Sequence, residues 1–273
     1  VSNVIGWRVM DLHELRAVFD RQVRRNTSTL MPGVADIRAD DGVVRELAAP
    51  GQRMSAITWA GFDRRNADDV IAAQVDFFRR RHEAFEWKVF GYDQPADLGE
   101  RLRLAGFVPD DEEVLLFADT ARIACDVPLP EGIRLVAVHD EAGVEAATTV
   151  QEDLEPGTER RARHVRGLLA GLADEREPMV LVLAMAGDEP ATSARIDFGP
   201  GTEFAGLFSA STSKRWRGHG IYRAIVAYRA RLAAARGFPY LRVETTTMSR
   251  PILRRLGFEP AATVTPYVWT PSD

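Results

Sequence analysis

Residues 207–223, Leu-Phe-Ser-Ala-Ser-Thr-Ser-Lys-Arg-Trp-Arg-Gly-His-Gly-Ile-Tyr-Arg, hold the most chemically informative residues of the chain. An apolar run from Phe204 to Ala210 leads into a basic turn with Gly218 and Gly220, and the turn opens an amphipathic stretch. The first backbone N–H groups of a helix have no partner within it, and the dipole there favours an anion. Gly218 and Gly220 carry no side chain, so a phosphate can approach the backbone. Lys214, Arg215 and Arg217 add cations that pair with phosphate oxygens. The expected chemistry is a pyrophosphate cradle. The competing reading is an ordinary strand-to-helix connection with exposed basic residues. The turn lacks the Gly-x-x-x-x-Gly-Lys-Ser/Thr spacing of a P-loop, and Arg223 stands where a dinucleotide fingerprint needs its third glycine.

Other chemistry-bearing residues are sparser. Glu244 follows Leu241 and Val243 in a short apolar run, so it is either a general base or an outward-facing strand residue. Ser249 precedes Pro251 and reads as a helix N-cap, with contact to a thiol as the alternative. His219 reads as a spacer within the turn, and Trp216 as a cover for the helix edge rather than a stacking platform. His13, His82, His139, His164 and His219 are scattered, so no metal site is expected. No Gly-x-Ser-x-Gly nucleophile elbow occurs. The lone cysteine, Cys125, excludes an internal disulfide and reads as a small buried residue.

The elements that must position these residues occur twice. Phe85-Glu-Trp-Lys-Val-Phe90, Ala96 to Phe107 and Glu113-Val-Leu-Leu-Phe-Ala118 read as strand, short helix ending in Gly-Phe, and strand. Pro239-Tyr-Leu-Arg-Val-Glu244, Arg250-Pro-Ile-Leu-Arg-Arg-Leu-Gly-Phe258 and Thr263 to Trp269 repeat that order. A long helix precedes each copy, near residues 67–84 and 220–236, and the matched order favours duplication. Asp11 with Glu14 forms a capping box for a helix carrying Leu12, Leu15, Phe19 and Val23. Asn66 is the expected cap of the helix carrying Ile71, Val75 and Phe78. Ile221, Ile225, Tyr228 and Leu232 share one face of the later helix, which Gly237 stops. Two prolines and a glycine in residues 125–132 read as a linker, with a boundary near residue 127. Helices alternating with short strands imply an α/β or α+β mixed-sheet architecture.

Arg217-Gly218-His219-Gly220-Ile221-Tyr222 resembles the Arg/Gln-x-x-Gly-x-Gly/Ala motif of the GNAT N-acetyltransferase superfamily. With the helix, strand and Leu-Gly-Phe258 end that follow, the resemblance covers roughly residues 131–271. It implies an α/β fold of two tandem GNAT-like domains: residues 1–126 as a degenerate copy and 127–273 as the acyl-CoA-binding copy. By that resemblance Arg215, Arg217, Gly218, His219, Gly220, Ile221 and Tyr222 bind the pyrophosphate of acetyl-CoA or another acyl-CoA. Phe208, Ser209 and Ala210 contact its pantetheine arm. The acidic run from Gln151 to Glu159 lies where the family places acceptor-lining helices, which makes Glu152, beside Glu244, a candidate base. Its alternative is a solvated loop.

Two departures matter. Tyr222 replaces a small residue, so its ring must leave the phosphate path. Leu253 stands where many members carry an acidic Tyr, and Thr245, Thr246 and Thr247 where Asn is common. A thiolate is a tolerable leaving group near neutral pH, so a dedicated acid can be dispensed with. The matching turn of the first half, residues 60–69, holds one glycine and three acids that repel phosphate; that half is expected to complete an acceptor pocket or stabilise its partner.

The implied activity is transfer of an acyl group to the amine of a small molecule or peptide. The alternatives are a coenzyme-binding sensor or partner-binding subunit, and a protein-interaction platform without coenzyme. With 45% hydrophobic and 27% charged residues, the 273-residue chain has the composition of a soluble globular protein. A net charge of −5 disfavours nucleic acid as partner. No apolar run is long enough for a membrane span, and the first residues lack a secretory signal, so a cytoplasmic location is expected. A homo-oligomer is compatible with the composition.

Overall fold

The Asp11 side chain accepts from the Glu14 N–H at 2.8 Å, and Glu14 reaches back to the Asp11 N–H, so the capping box forms as expected. It starts helix α1 (Leu12–Phe19), which continues into a π-helical turn (Asp20–Arg24). In this computed structural model the described residues are 10–27, 31, 33–40, 42–51, 53–123, 127–151 and 154–271. The first half goes on with β1 (Val34–Asp40), β2 (Val43–Ala48), β3 (Ser55–Ala60), α2 (Ala67–Arg79), β4 (Phe85–Phe90), α3 (Leu98–Leu104), β5 (Val108–Pro109) and β6 (Glu113–Asp119). The second half runs β7 (Ile133–Val138), α4 (Glu141–Thr149), α5 (Glu159–Leu172), β8 (Met179–Ala186), β9 (Glu189–Phe198) and β10 (Phe204–Thr212). It ends with α6 (Ile221–Ala235), β11 (Tyr240–Thr245), α7 (Arg250–Arg255) and β12 (Glu259–Trp269).

The strands form one mixed sheet in the order β1-β2-β3-β4-β12-β6-β11-β10-β9-β8-β7, with β5 on β12. The chain passes from β6 to β7 through the expected boundary, but the sheet does not divide there. β6 pairs with β11 and β12 of the second half, and β12 pairs with β4 and β6 of the first. Each half therefore borrows the final strand of the other. Tyr267 and Trp269 of β12 pack into the first-half core with Phe85, Trp87 and Phe107. Burying aromatic side chains of that size stabilises by roughly 1.5–3 kcal/mol each, which ties the C-terminus to the first half.

The repeat is visible in the backbone. β3 and β4 run parallel and pair only at Ser55–Ile57 with Phe85–Trp87; β10 and β11 run parallel and pair only at Phe204–Gly206 with Tyr240–Arg242. Beyond these short ladders each pair separates.

Period-2 alternation sends successive strand residues to opposite faces. Leu116, Leu241, Val243 and Ile196 meet α6 and α7 on one face, while Leu115, Phe117 and Phe90 meet α1 on the other. Helices α4 and α5 cover β8 on the α1 side through Leu181 and Leu183.

Two expected caps differ from the structure. The Asn66 side chain does not cap α2; its oxygen accepts from the Asp63 N–H at 3.1 Å instead. This helix ends at Arg79, earlier than the periodicity suggests, because Arg80, Arg81 and His82 leave the apolar face and His82 takes φ 52°. Ser249 occupies the N-cap position of α7, but its hydroxyl bonds Thr245 Oγ1 rather than the helix backbone.

Candidate active site

The glycine turn joins β10 to α6 as the sequence requires. A 3-10 turn (Lys214–Trp216) precedes it, and the first bond into the helix runs from the Ala224 N–H to Gly220 O at 3.2 Å. The N–H groups of Ile221, Tyr222 and Arg223 thus lead the helix. Gly218 and Gly220 take φ 81° and 80°, a left-handed conformation in which a side chain is strained. A Cβ at Gly218 would meet nothing within 4 Å, and one at Gly220 only Pro130 Cγ at 4.0 Å. A bare, exposed backbone bend at a helix start has the donor set and the room that a diphosphate needs.

The side chains of the turn are divided in their contacts. Arg215 pairs with Glu189 at 2.8 Å, and the Trp216 indole donates to the same carboxylate at 3.1 Å. Arg217 Nε donates to Thr212 O at 3.0 Å, which anchors the stem and leaves its head at the surface. His219 is exposed, with Nδ1 2.9 Å from Arg217 O. Ile221 is buried between β8 and β9 and fixes the helix start. The Tyr222 ring has left the turn and packs among the apolar residues behind α6. Burial pushes its phenol up; Arg229 and a hydrogen bond with Ser249 pull the other way without reversing it. Leu253, at the position of the missing Tyr, is fully buried in the α7 core.

β10 is bulged between Phe208 and Ser211, with Ser209 at φ 47°. The bulge falls where β10 has already parted from β11, so the backbone of this segment faces the opening rather than a neighbouring strand. Ser209, Ala210 and Ser211 line a cavity of about 460 Å³ with Gln151, Leu154 and Arg163. Phe208 points into a second cavity of about 360 Å³, which shares Arg53 and His164 with the first. Gly206 is required beneath that ring: a Cβ there would sit 2.5 Å from the Phe208 ring edge.

This second cavity lies on the α1 face of the sheet, between the π-helical turn and α5, and both halves build it. The first half supplies Arg24, Glu46, Arg53, Thr58, Glu86 and Lys88. The second supplies Arg195, Asp197, Phe208, Arg242 and Glu244. Most of these charges are paired within the wall. Lys88 donates to Glu244 at 2.5 Å, Arg195 lies 2.8 Å from Asp197, and Arg53 lies 3.1 Å from Glu46. Arg24 holds Asp93 through both of its terminal nitrogens, at 2.9 and 2.8 Å.

Electrostatics separate two of the carboxyls that line the cavity, Glu244 on β11 and Glu86 on β4. Burial alone would raise the Glu244 carboxyl, but Lys88 and then Arg242 outweigh it and hold it below the usual range. Burial raises the Glu86 carboxyl, and the attraction of Lys88 does not reverse that. Glu86 accepts no hydrogen bond from any described residue.

Of the residues expected from sequence, the structure gathers residues 217–222 at the turn and Phe208, Ser209 and Ala210 at the bulge. Glu244 lies in the cavity and does not face solvent. Glu152 lies outside the described residues, as does Cys125. Glu86, Lys88, Arg195, Asp197 and Arg242 line the same cavity and were not singled out from the sequence. The signal for them was present: Glu86-x-Lys88, Arg195-x-Asp197 and Arg242-x-Glu244 each put two charges on one face of an otherwise apolar strand. Among the described residues no group of three His, Cys, Asp or Glu is placed to hold a metal, and no helix is long and apolar enough to cross a membrane.

No protein-family model matches the chain, and no curated protein does. Solved structures do match. A GCN5-related N-acetyltransferase from Kribbella flavida superposes with a TM-score of 0.68 at 16% identity, over 97% of this chain and 98% of that one. A tandem GNAT protein from the clavulanic acid biosynthesis pathway gives 0.61 at 17% identity, over 95% and 94%. A GCN5-related N-acetyltransferase from Sphaerobacter thermophilus gives 0.59 at 14%, over 84% and 76%. The chain therefore has the fold of the GNAT superfamily. It has that fold in its tandem form, with two copies sharing one sheet.

Proposed function

We propose that the protein is an N-acyltransferase that binds acyl-CoA in its second half and an amine acceptor in the cavity shared by both halves. The observation that carries this reading is the position of the β10–β11 opening, which lies between the glycine turn and the charged cavity. A pyrophosphate on residues 217–222 leaves the pantetheine arm to follow the bulged backbone of Phe208, Ser209 and Ala210. The thioester then arrives at the cavity mouth. Coenzyme in the first half is disfavoured, because Asp68 and Asp69 occupy the first turn of α2. That half contributes instead the wall carrying Glu86 and Lys88.

Catalysis in such a site is mainly positioning, with strand N–H groups polarising the carbonyl. An amine must lose its proton before it attacks. A base works best when its pKa lies near the working pH. Glu86, raised by burial and unbonded, suits that task better than Glu244, whose carboxylate is already held by Lys88. The CoA thiolate leaves without a dedicated acid, consistent with Leu253 in the usual Tyr position. Release of free thiol from acetyl-CoA across an amine panel tests the reading. Turnover with at least one amine is expected; coenzyme binding without turnover on any amine would point to a sensor instead.

A further inference from the structure

Pairing off the charges of the shared cavity leaves two groups over. Three carboxylates near Arg242, those of Glu244, Asp197 and Glu46, each have a cation of their own in Lys88, Arg195 and Arg53. Arg24 is satisfied by Asp93 and Asp20. The Arg242 guanidinium makes no hydrogen bond or ion pair to any described residue. Instead it stands 5.1 Å from the centroid of the Phe208 ring and 5.8 Å from that of Phe19. Its donors are not sealed in protein, for Arg242 lines both the shared cavity and a smaller one beside it. The second group left over is Glu86, on β4 across the same cavity.

A guanidinium beside aromatic rings, with no carboxylate of its own, keeps the planar fork of donors that takes a carboxylate through two parallel hydrogen bonds. Its donors open onto the cavity, and a charge-assisted pair formed there, away from bulk water, is stronger than a neutral hydrogen bond, so an anionic group on a ligand is favoured. The cavity, about 360 Å³, suits a small molecule rather than a protein segment. From the surplus cation and the surplus carboxyl, resting on the acyl-transfer reading above, we infer that the acceptor is a small amine that also bears a carboxylate, with Arg242 binding the carboxylate and Glu86 facing the ammonium. An amino acid or dipeptide has that chemistry. The ammonium gives one proton to Glu86. The amine lone pair forms the C–N bond to the acyl carbonyl, the C–S bond breaks with its electrons on sulfur, and the second amine proton balances the thiolate. The products are an N-acyl amino acid and free CoA thiol, with the proton on Glu86 released to solvent.

The test compares the twenty α-amino acids and glycylglycine with their methyl esters, which keep the amine and lose the carboxylate. Two readouts are taken on the full chain: thiol release with acetyl-CoA, and the melting-temperature shift in the presence of CoA. At least one acid is expected to raise the melting temperature where its ester does not, and to exceed the ester in kcat/KM by roughly 10- to 100-fold. Arg242→Gln should erase that preference, and Arg242→Lys, which keeps the charge without the fork, should leave part of it. The ester comparison on the unaltered protein stands even where a variant fails to fold. Acids and esters behaving alike in both readouts, or no acid acting in either, would overturn the inference. Thiol release that ignores the carboxylate would leave acyl transfer standing while the carboxylate site falls. An acid-selective shift with no thiol release would do the opposite.

Discussion

Gly220→Glu places a carboxylate at the start of α6, and its effects on folding and binding separate cleanly. Gly220 has φ 80°, and an added Cβ meets only Pro130 Cγ at 4.0 Å. Packing is therefore unaffected, and the cost is backbone strain of about 1–2 kcal/mol. In a chain of this size that lowers the melting temperature by roughly 2–8 °C. Binding suffers far more. A unit charge about 6 Å from a diphosphate, at an effective dielectric near 20, repels each phosphate charge by about 3 kcal/mol before screening. Allowing for salt and side-chain freedom, CoA affinity should fall by roughly 30- to 1000-fold. Titration calorimetry with CoA measures it, with Gly220→Ala as the control that carries the strain without the charge and stays within about tenfold of the parent. Raising the salt should recover part of the loss in the Glu variant only. A folded Gly220→Glu protein that binds CoA as the parent does would refute the assignment of the turn.

Three further outcomes follow from the cavity and the core. Glu86→Gln should lower kcat by roughly 100-fold or more. The acid limb of the parent kcat/KM profile should lie above the ordinary carboxyl value near 4.5, because burial raises Glu86, and the variant should lose that limb. An unchanged profile would remove Glu86 as base. Lys88→Met leaves Glu244 without its hydrogen-bonded partner and should cost about 3 kcal/mol, the low end of the range for breaking buried pairs because Lys88 is 29% exposed. The Glu244 carboxyl is depressed when folded, so this stability is present above its unfolded pKa and is lost as pH falls through the lower folded value. The Lys88 ammonium is raised, so its share is lost only in strong alkali. Denaturant unfolding at several pH values checks both limbs. Arg229 is fully buried with only carbonyl partners, Arg195 O at 2.9 Å and Ile225 O at 3.4 Å, and burial pulls its pKa down to about 10. Its depressed value means the charge costs stability below that pH, so Arg229→Met should melt no lower than the parent at pH 7. A melting temperature below that of the parent would contradict that sign.

What was legible in the sequence is what local physics decides. The capping box at Asp11, the strand Phe85–Phe90, the glycine turn and the helix it opens follow from propensity, period and the absence of a side chain. The exchange of β6 and β12 was not legible, because both strands are apolar on both faces and nothing local names the neighbour an apolar strand will take. The charged face was only partly legible for a similar reason. Alternation tells which residues share a face, not whether that face meets solvent or a cavity roofed by α1 and α5, so the sequence left Glu244 open between a general base and an outward-facing residue. Helix ends and caps failed where a polar side chain found a nearer partner than the helix backbone, Asp63 for Asn66 and Thr245 for Ser249. Tyr222 did what its bulk demanded and turned into the core, leaving the turn open.

A crystal structure of the protein with bound CoA tests the central claim most directly. The diphosphate should lie within hydrogen-bonding distance of the backbone N–H groups between Arg217 and Tyr222, with the pantetheine arm between β10 and β11 and its sulfur at the mouth of the cavity that holds Glu86 and Arg242. Coenzyme seated instead on the β3–β4 opening of the first half, or a glycine turn left without phosphate, would contradict it.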